Sequence, residues 1–378
     1  MTSLITRFLT VLLFITAPVA AQTVSKDVQP FVDREELAGA VMLVANKDKI
    51  LTTEAVGYAD IAARQPMKAD SLFWIASQSK PITGAALMLL VDEQKIFLDD
   101  TIDEYLPEFK GVMYVAEKDE SHKLLKPPTH LPTIRNLLSH TSGMPFKSAL
   151  EEPTLDLYPL SVRVRSYAMT PLDFDPDTKY QYSNAGINTA ARIIEVVENT
   201  SFEKFLETRF FQPLGMTDTT FWPTEAQAAR IAKPYKPGPD NKGLVETTIG
   251  QLHYPLTDRE VRFPMPAGGL FSTAHDLSRF YQMLLNGGEL DGKRYLSAAS
   301  IKEIMRRQTP ETVKESYSLG FSVSKTTFGH GGAYSTNTVA ETDTGLIYIW
   351  LVQHAGFPGE GGKSQDAFRK TARSTFVR

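Results

Sequence analysis

The stretch Ile75-Ala-Ser-Gln-Ser-Lys-Pro-Ile-Thr-Gly84 sets two serines and a lysine within four residues, directly before a proline. The apolar run that follows, from Ile82 to Val91, is a strong helix signal, and its composition requires burial nearly all round. Proline is tolerated in a first helical turn and costs about 3 kcal/mol in a helix interior. The helix therefore has to begin close to Ser77. On a helix, i and i+3 share a face, so Lys80 faces Ser77 and not Ser79.

Ser-x-x-Lys alone proves little. It occurs at Ser77/Lys80, Ser201/Lys204 and Ser322/Lys325, and chance supplies roughly one match at average composition. Setting separates the three. Ser201 reads as a helix cap with Lys204 on a solvated face, and Ser322/Lys325 falls in a strand signal, where i and i+3 face opposite ways. Ser77 alone stands where free N–H groups and the helix dipole favour negative charge on an attacking oxygen. Lys80, at the root of a buried helix, loses hydration. To act as a base its pKa must fall from about 10.4 toward about 7–8; burial and a nearby second cation are the usual causes.

Around this helix start, Ala40–Ala45 and Ile50–Val56 read as strands joined by a turn at Asn46–Lys49. Strand signals return at Tyr317–Ser324, Ala333–Glu341 and Leu346–Gln353, followed by a polar helix from Ser364. Val24–Leu37, Ala185–Glu198 and Asp276–Leu285 carry helical spacing. Strands at both ends with helices between them predict an α+β fold: an antiparallel sheet built from N- and C-terminal strands with flanking helices, plus an inserted mainly helical lobe.

The 378 residues carry a formal charge of −4 and no basic run fit to track a phosphate backbone, so no nucleic-acid partner is expected. The absence of cysteine excludes thiol nucleophiles, disulfides and thiolate metal sites. The seven histidines form no HExxH and no close pairs, so neither metal nor other cofactor is expected. The opening MTSLITRFLTVLLFITAPVAAQT has one arginine, a short apolar core and small residues before Gln22. It reads as a signal peptide over 1–21 cut near Ala21, which predicts a periplasmic or secreted protein with no integral span in the mature chain. No residue pattern specifies an oligomeric state.

Two further segments carry chemistry. Tyr180-Gln-Tyr-Ser-Asn-Ala-Gly186 holds the only Tyr-x-Asn, at Tyr182 and Asn184, and Phe328-Gly-His-Gly-Gly-Ala-Tyr334 is a glycine-rich entry to a strand. With these, the sequence resembles the penicillin-recognising serine hydrolases: class C β-lactamases, D-alanyl-D-alanine carboxypeptidases and family VIII carboxylesterases. Six blocks carry the resemblance in order over roughly residues 35 to 355: FWIASQSKPITG, LLSHTSGMP, YQYSNAGI, FFQPLGMTDT, PAGGLFSTAHDLSRF and FGHGGAYST.

The resemblance implies one hydrolase domain over 22–378, with a sheet lobe at about 22–75 and 290–378 and a helical lobe at about 76–289. It implies Ser77 as acyl-accepting nucleophile, Lys80 as base or proton relay, and Tyr182 as the proton partner of leaving group and water. Asn184 would touch the substrate, and the N–H groups of Ser77 and of Ala333, after His330-Gly331-Gly332, would form the oxyanion hole. Which of Lys80 and Tyr182 is the base stays open.

Where β-lactamases and peptidases of this family carry Lys-Thr-Gly, this chain has His330-Gly331-Gly332. A histidine is mostly neutral at pH 7. The expected substrate is therefore a small uncharged ester, ahead of a β-lactam or a D-amino-acid peptide. A non-catalytic binding homologue is the reading from another class, and the presence of Ser77, Lys80, Tyr182 and Asn184 together argues against it. His140 in LLSHTSGMP reads as a turn histidine with satisfied hydrogen bonds, and Tyr180 as packing.

Overall fold

A computed structural model describes residues 23–377; the leader segment read above lies outside the described residues. Seven strands form one antiparallel sheet: β1 Gly39–Asn46, β2 Ile50–Asp60, β3 Gln65–Pro66, β4 Ser322–Val323, β5 Thr327–Gly331, β6 Asn337–Glu341 and β7 Leu346–Leu351. Their spatial order is β4-β5-β6-β7-β1-β2-β3. The two ends of the chain meet where β1 pairs with β7, Val41 opposite Leu351 through Asn46 opposite Leu346.

The run GAVMLVA in β1 is apolar at every position because both faces of this central strand are covered. Val41, Leu43 and Ala45 join the main core, which also contains the inserted helices. Ala40, Met42 and Val44 join a second core with Trp350, and with Phe368 and Ala372 of the C-terminal helix Ser364–Phe376. The Val24–Leu37 spacing resolves into two short turns, Ser25–Asp27 and Gln29–Asp33, against that second core.

Helix α1, Ser79–Asp92, is buried continuously from Ser79 to Leu90. It continues from a 3-10 turn over Ala76–Gln78, with Pro81 in its first turn as expected. Helix α2, Asn184–Glu198, and helix α3, Ala274–Leu285, pack beside it and under the sheet, respectively. Among the described residues no helix is long and apolar enough to cross a membrane.

Two strand expectations need correction. Of Tyr317–Ser324 only Ser322–Val323 is a strand. Gly320 stands at φ +86°, and Ser318 N–H turns back to Phe321 O, so the segment bends across α1. The Ala333–Glu341 strand starts only at Asn337, because Ala333–Ser335 is a 3-10 turn, and the true neighbour Thr327–Gly331 has too few apolar residues to announce itself.

The bend fixes the start of α1. A Cβ on Gly84 would come within 2.1 Å of Leu319 O, and one on Gly320 within 2.5 Å of Lys80 O. Backbone thus packs directly on backbone at the helix start, which leaves Lys80 no route to water from that side. Gly84→Ala is expected to destabilise the fold by about 1–3 kcal/mol through this overlap. Gly250→Ala, whose added Cβ meets nothing within 4 Å, is expected to be near neutral. Chemical denaturation of both variants compares them directly.

Candidate active site

From Ser71 to Leu90 every residue is buried except Ser77. The preceding Ala76 holds φ at +48°, a left-handed conformation that costs a non-glycine residue about 1–2 kcal/mol. The kink leaves Ser77 at the surface between a short edge strand, Phe73–Trp74, and α1.

Lys80 is fully buried. Its Nζ lies 2.7 Å from Ala267 O, 2.8 Å from Asn184 Oδ1 and 3.2 Å from Ser77 Oγ. These partners are uncharged, and burial drives the amine well below its ordinary pKa. The second cation considered from the sequence is not among the causes. A neutral amine has two hydrogens and one lone pair. The Ala267 carbonyl and the Asn184 amide oxygen can only accept, so they take both hydrogens. The lone pair is left facing the Ser77 hydroxyl.

Tyr182 approaches from the segment before α2, with Lys80 Nζ 4.5 Å from its ring centroid. Burial raises its phenol above the ordinary value, opposed by a hydrogen bond with Ser77. Hydrogen bonds tie this segment to LLSHTSGMPF, four of them around Tyr182. Gln181 N–H donates to His140 O (2.9 Å), Ser183 N–H to His140 Nδ1 (3.2 Å), Ser183 Oγ–H to Pro145 O (2.7 Å) and Asn184 N–H to Phe146 O (3.1 Å). Ser183 also caps α2 by accepting from Gly186 N–H at 2.9 Å. The two sequence blocks are thus one structural unit that aims Tyr182 and Asn184.

His140 is not the satisfied turn residue its sequence suggests. It is buried, its ring centroid lies 4.6 Å from those of both Tyr182 and Tyr317, and its Nε2 has no partner among the described residues. Burial holds it neutral. Tyr180 joins the same cluster, 5.8 Å from His140 and 5.9 Å from Tyr317.

His330, on β5, is buried with both ring nitrogens engaged. Nδ1 meets the carbonyl of Gly331, which can only accept, so Nδ1 carries the hydrogen. Nε2 then accepts from the Tyr317 hydroxyl at 2.8 Å. Burial pushes the imidazole down to about 3, so it is neutral at any physiological pH. Tyr317 was not legible as its partner from the sequence.

Gly332 packs on the turn that carries Ser77: a Cβ there would come within 2.3 Å of Ile75 O. Gly331 precedes it at the end of β5. The bonds of the two facing 3-10 turns run from Gln78 N–H to Ile75 O and from Ser335 N–H to Gly332 O. The N–H groups of Ser77 and Ala333, each early in its turn, fall outside those ladders. Among the described residues no group of acidic or histidine side chains could hold a metal ion.

This geometry brings together all eight residues singled out from the sequence. What the sequence did not offer is the Ala267 carbonyl, a backbone acceptor in the PAGGLFST block with no side-chain signal.

A family model described as Beta-lactamase matches residues 24–371. Protein Rv1367c of Mycobacterium tuberculosis is 32% identical over 382 residues, spanning 90% of this chain and 94% of that one. Esterase EstB of Burkholderia gladioli is 33% identical over 215 residues, which cover 53% of this chain and 51% of the esterase. The solved structure of EstCE1, a hydrolase with promiscuous acyltransferase activity, superposes with a TM-score of 0.77 at 22% identity, covering 93% of this chain and 99% of that one; the likeness is one of fold.

The depressed pKa of Lys80 has a consequence for stability. Below about pH 10.4 an unfolded lysine is protonated, whereas burial lowers the pKa of the folded amine. The unfolded state then binds more protons, so this residue opposes folding more strongly as pH falls. The melting temperature of Lys80→Met relative to wild type should be more favourable at pH 6 than at pH 9. A difference that does not change with pH would mean that Lys80 stays charged in the folded protein.

Proposed function

The chain belongs to the Beta-lactamase family, and on that premise we propose that it is an exported serine hydrolase of small uncharged esters, working through an acyl-enzyme on Ser77. The observation that carries the reading is the Lys80 amine, buried among uncharged oxygens with its lone pair left for the Ser77 hydroxyl.

Burial lowers Lys80 and raises Tyr182, so the pair rests as neutral amine and neutral phenol, not as ammonium and phenolate. That assigns the base to Lys80. Ser77 Oγ attacks the ester carbonyl carbon while its proton passes to Lys80 Nζ. The carbonyl oxygen takes the negative charge and is held by the N–H groups of Ser77 and Ala333. As the intermediate collapses, the alcohol leaves with the Tyr182 hydroxyl proton, and Tyr182 recovers a proton from Lys80. Water then attacks the acyl carbon, its proton passing to the same pair, and Ser77 leaves as the alcohol of the second step. Asn184 contributes by holding Lys80 and by lying within reach of the substrate.

Substrate class follows from His330. Its ring is uncharged, its one N–H is committed to Gly331, and its other nitrogen is committed to Tyr317. It therefore supplies neither a cation nor a spare donor to a carboxylate. Penicillins and peptide C-termini carry such a carboxylate; simple esters do not. Phe146, exposed and stacked on Tyr182 at 6.4 Å, adds an apolar lip suited to an acyl or alkoxy chain.

The mature chain should hydrolyse p-nitrophenyl butyrate, and Ser77→Ala should lose at least about 10³-fold in kcat/KM, the scale of losing a catalytic nucleophile. Acylation by benzylpenicillin, followed by intact mass, should be at least about tenfold slower than acylation by the ester. Equal activity of Ser77→Ala and wild type would refute the nucleophile. A fast penicillin adduct would move the substrate to β-lactams or D-peptides.

A further inference from the structure

The carbonyl that holds the Lys80 amine is itself held by a buried polar chain. Ala267 turns its C=O to Lys80 Nζ and its N–H to Asn188 Oδ1, 3.1 Å away. Asn188 donates Nδ2 to the Tyr167 hydroxyl at 3.0 Å, and Tyr167 donates to Glu151 Oε1 at 2.8 Å. Glu151 pairs with Arg163 at 3.7 Å, and Arg163 donates to the carbonyl of Pro264. The chain thus leaves the Pro264–Ala267 segment at one end and returns to it at the other.

All four side chains are at most 1% exposed. Burying this much polarity is costly, and packed apolar residues would be at least as stable. None of the four is among the hydrogen-bond partners of Ser77 or Lys80. What they fix is one peptide plane. The Pro266 carbonyl accepts from Thr83 Oγ1 at 2.9 Å, and the N–H of the same peptide unit, that of Ala267, goes to Asn188. The Ala267 carbonyl lies in the next peptide unit, whose Gly268 N–H donates to Met265 O at 2.9 Å. Asn188 and Thr83 are thus the two side chains that fix the peptide unit on the N-terminal side of the Ala267 carbonyl.

We propose that Asn188 and Tyr167 are positioning residues for the general base: they hold the Ala267 carbonyl on the Lys80 amine, which keeps the lone pair on Ser77. The inference rests on the reading of Lys80 as base. Removing the Asn188 link lets one amine hydrogen lose its acceptor, and the amine rotates away from Ser77. A carbonyl on the amine also favours the ammonium form, so its withdrawal lets Lys80 shed its proton at a lower pH. The other titratable groups facing Lys80, namely Tyr182, His140 and His330, are kept neutral by burial, and Glu151 and Arg163 lie at the far end of the chain.

The test is the pH profile of kcat/KM for p-nitrophenyl butyrate. For Asn188→Ala we expect the plateau to fall by about 10–100-fold, the scale of a misplaced catalytic group, and the acid limb to move to lower pH by about 0.5–1 unit. Tyr167→Phe, one link further out and closer in volume, should move both in the same directions by less; it also serves should Asn188→Ala not fold. Thr189→Ala, a neighbouring buried residue bonded only to Ala185 O and Met144 Sδ, should keep the wild-type limb. A lowered plateau with an unmoved limb in the Asn188 and Tyr167 variants, or an equal shift in Thr189→Ala, overturns the proposal. Ser77→Ala run in parallel separates the two failures, because retained activity there defeats the serine reading itself, whatever the limb does.

Discussion

The rest of the site depends on an amine buried without a countercharge. Lys80 sits at the root of a helix whose first twelve residues are all buried, and its hydrogen-bond partners are two acceptor-only oxygens and one hydroxyl. A carboxylate in place of either acceptor would hold the amine as an ammonium, with no lone pair to offer. Uncharged acceptors desolvate it and still orient it. The same burial that disfavours the ammonium disfavours the Tyr182 phenolate, so the environment selects one protonation state for the pair. Most of the catalytic competence proposed here is thus a property of the dielectric around two side chains and not of any special contact between them.

That environment takes contributions from distant parts of the chain. The helix start comes from residues 76–80, the amide oxygen from Asn184 and the carbonyl from Ala267, and the bend at Ser318–Phe321 seals the helix from outside through the close approach at Gly84 and Gly320. The sheet makes this convergence possible: β1 pairing with β7 brings the two ends of the chain together and carries β5, with His330 and the Gly332 contact, to the face of the nucleophile turn. The helical insertion supplies the remaining walls. The fold can be read as a device for bringing backbone carbonyls and amides to a point that no single segment could surround.

This also explains which parts of the protein were legible in the sequence. The helix start was, because a proline, a facing lysine and a long apolar run constrain one another locally. The central strand was, because burial on both faces leaves an unbroken apolar run. The partnership of LLSHTSGMP with YQYSNAGI was visible as two motifs, but the bonds that join them run largely through backbone atoms and leave no residue signature. Strand β5 was missed because a strand of sequence TFGHG is held by its neighbours and by the closeness its glycines allow, not by its own propensity. The Asn188–Tyr167–Glu151–Arg163 chain was out of reach for a related reason. Its members lie on three elements, with Arg163 and Tyr167 sharing the helix Leu160–Ala168, and each alone looks like an ordinary polar residue of a helix or turn.

His330 shows how one substitution can change the character of such a site without disturbing its machinery. A lysine at this place would put a full positive charge beside Lys80, and two cations at close range would lower both amines further unless an anion arrived to share the field. An anionic substrate is then part of the electrostatic balance of the site. With histidine, the balance closes inside the protein: Gly331 and Tyr317 satisfy the two nitrogens, burial removes the charge, and His140 and His330 pack as neutral rings against Tyr182. The site no longer needs an anion to be stable, and it offers one little in return. The proposed specificity for an uncharged carbonyl compound and the proposed activation of Ser77 thus rest on one principle, namely that burial disfavours the charged form of each ionisable group in the pocket.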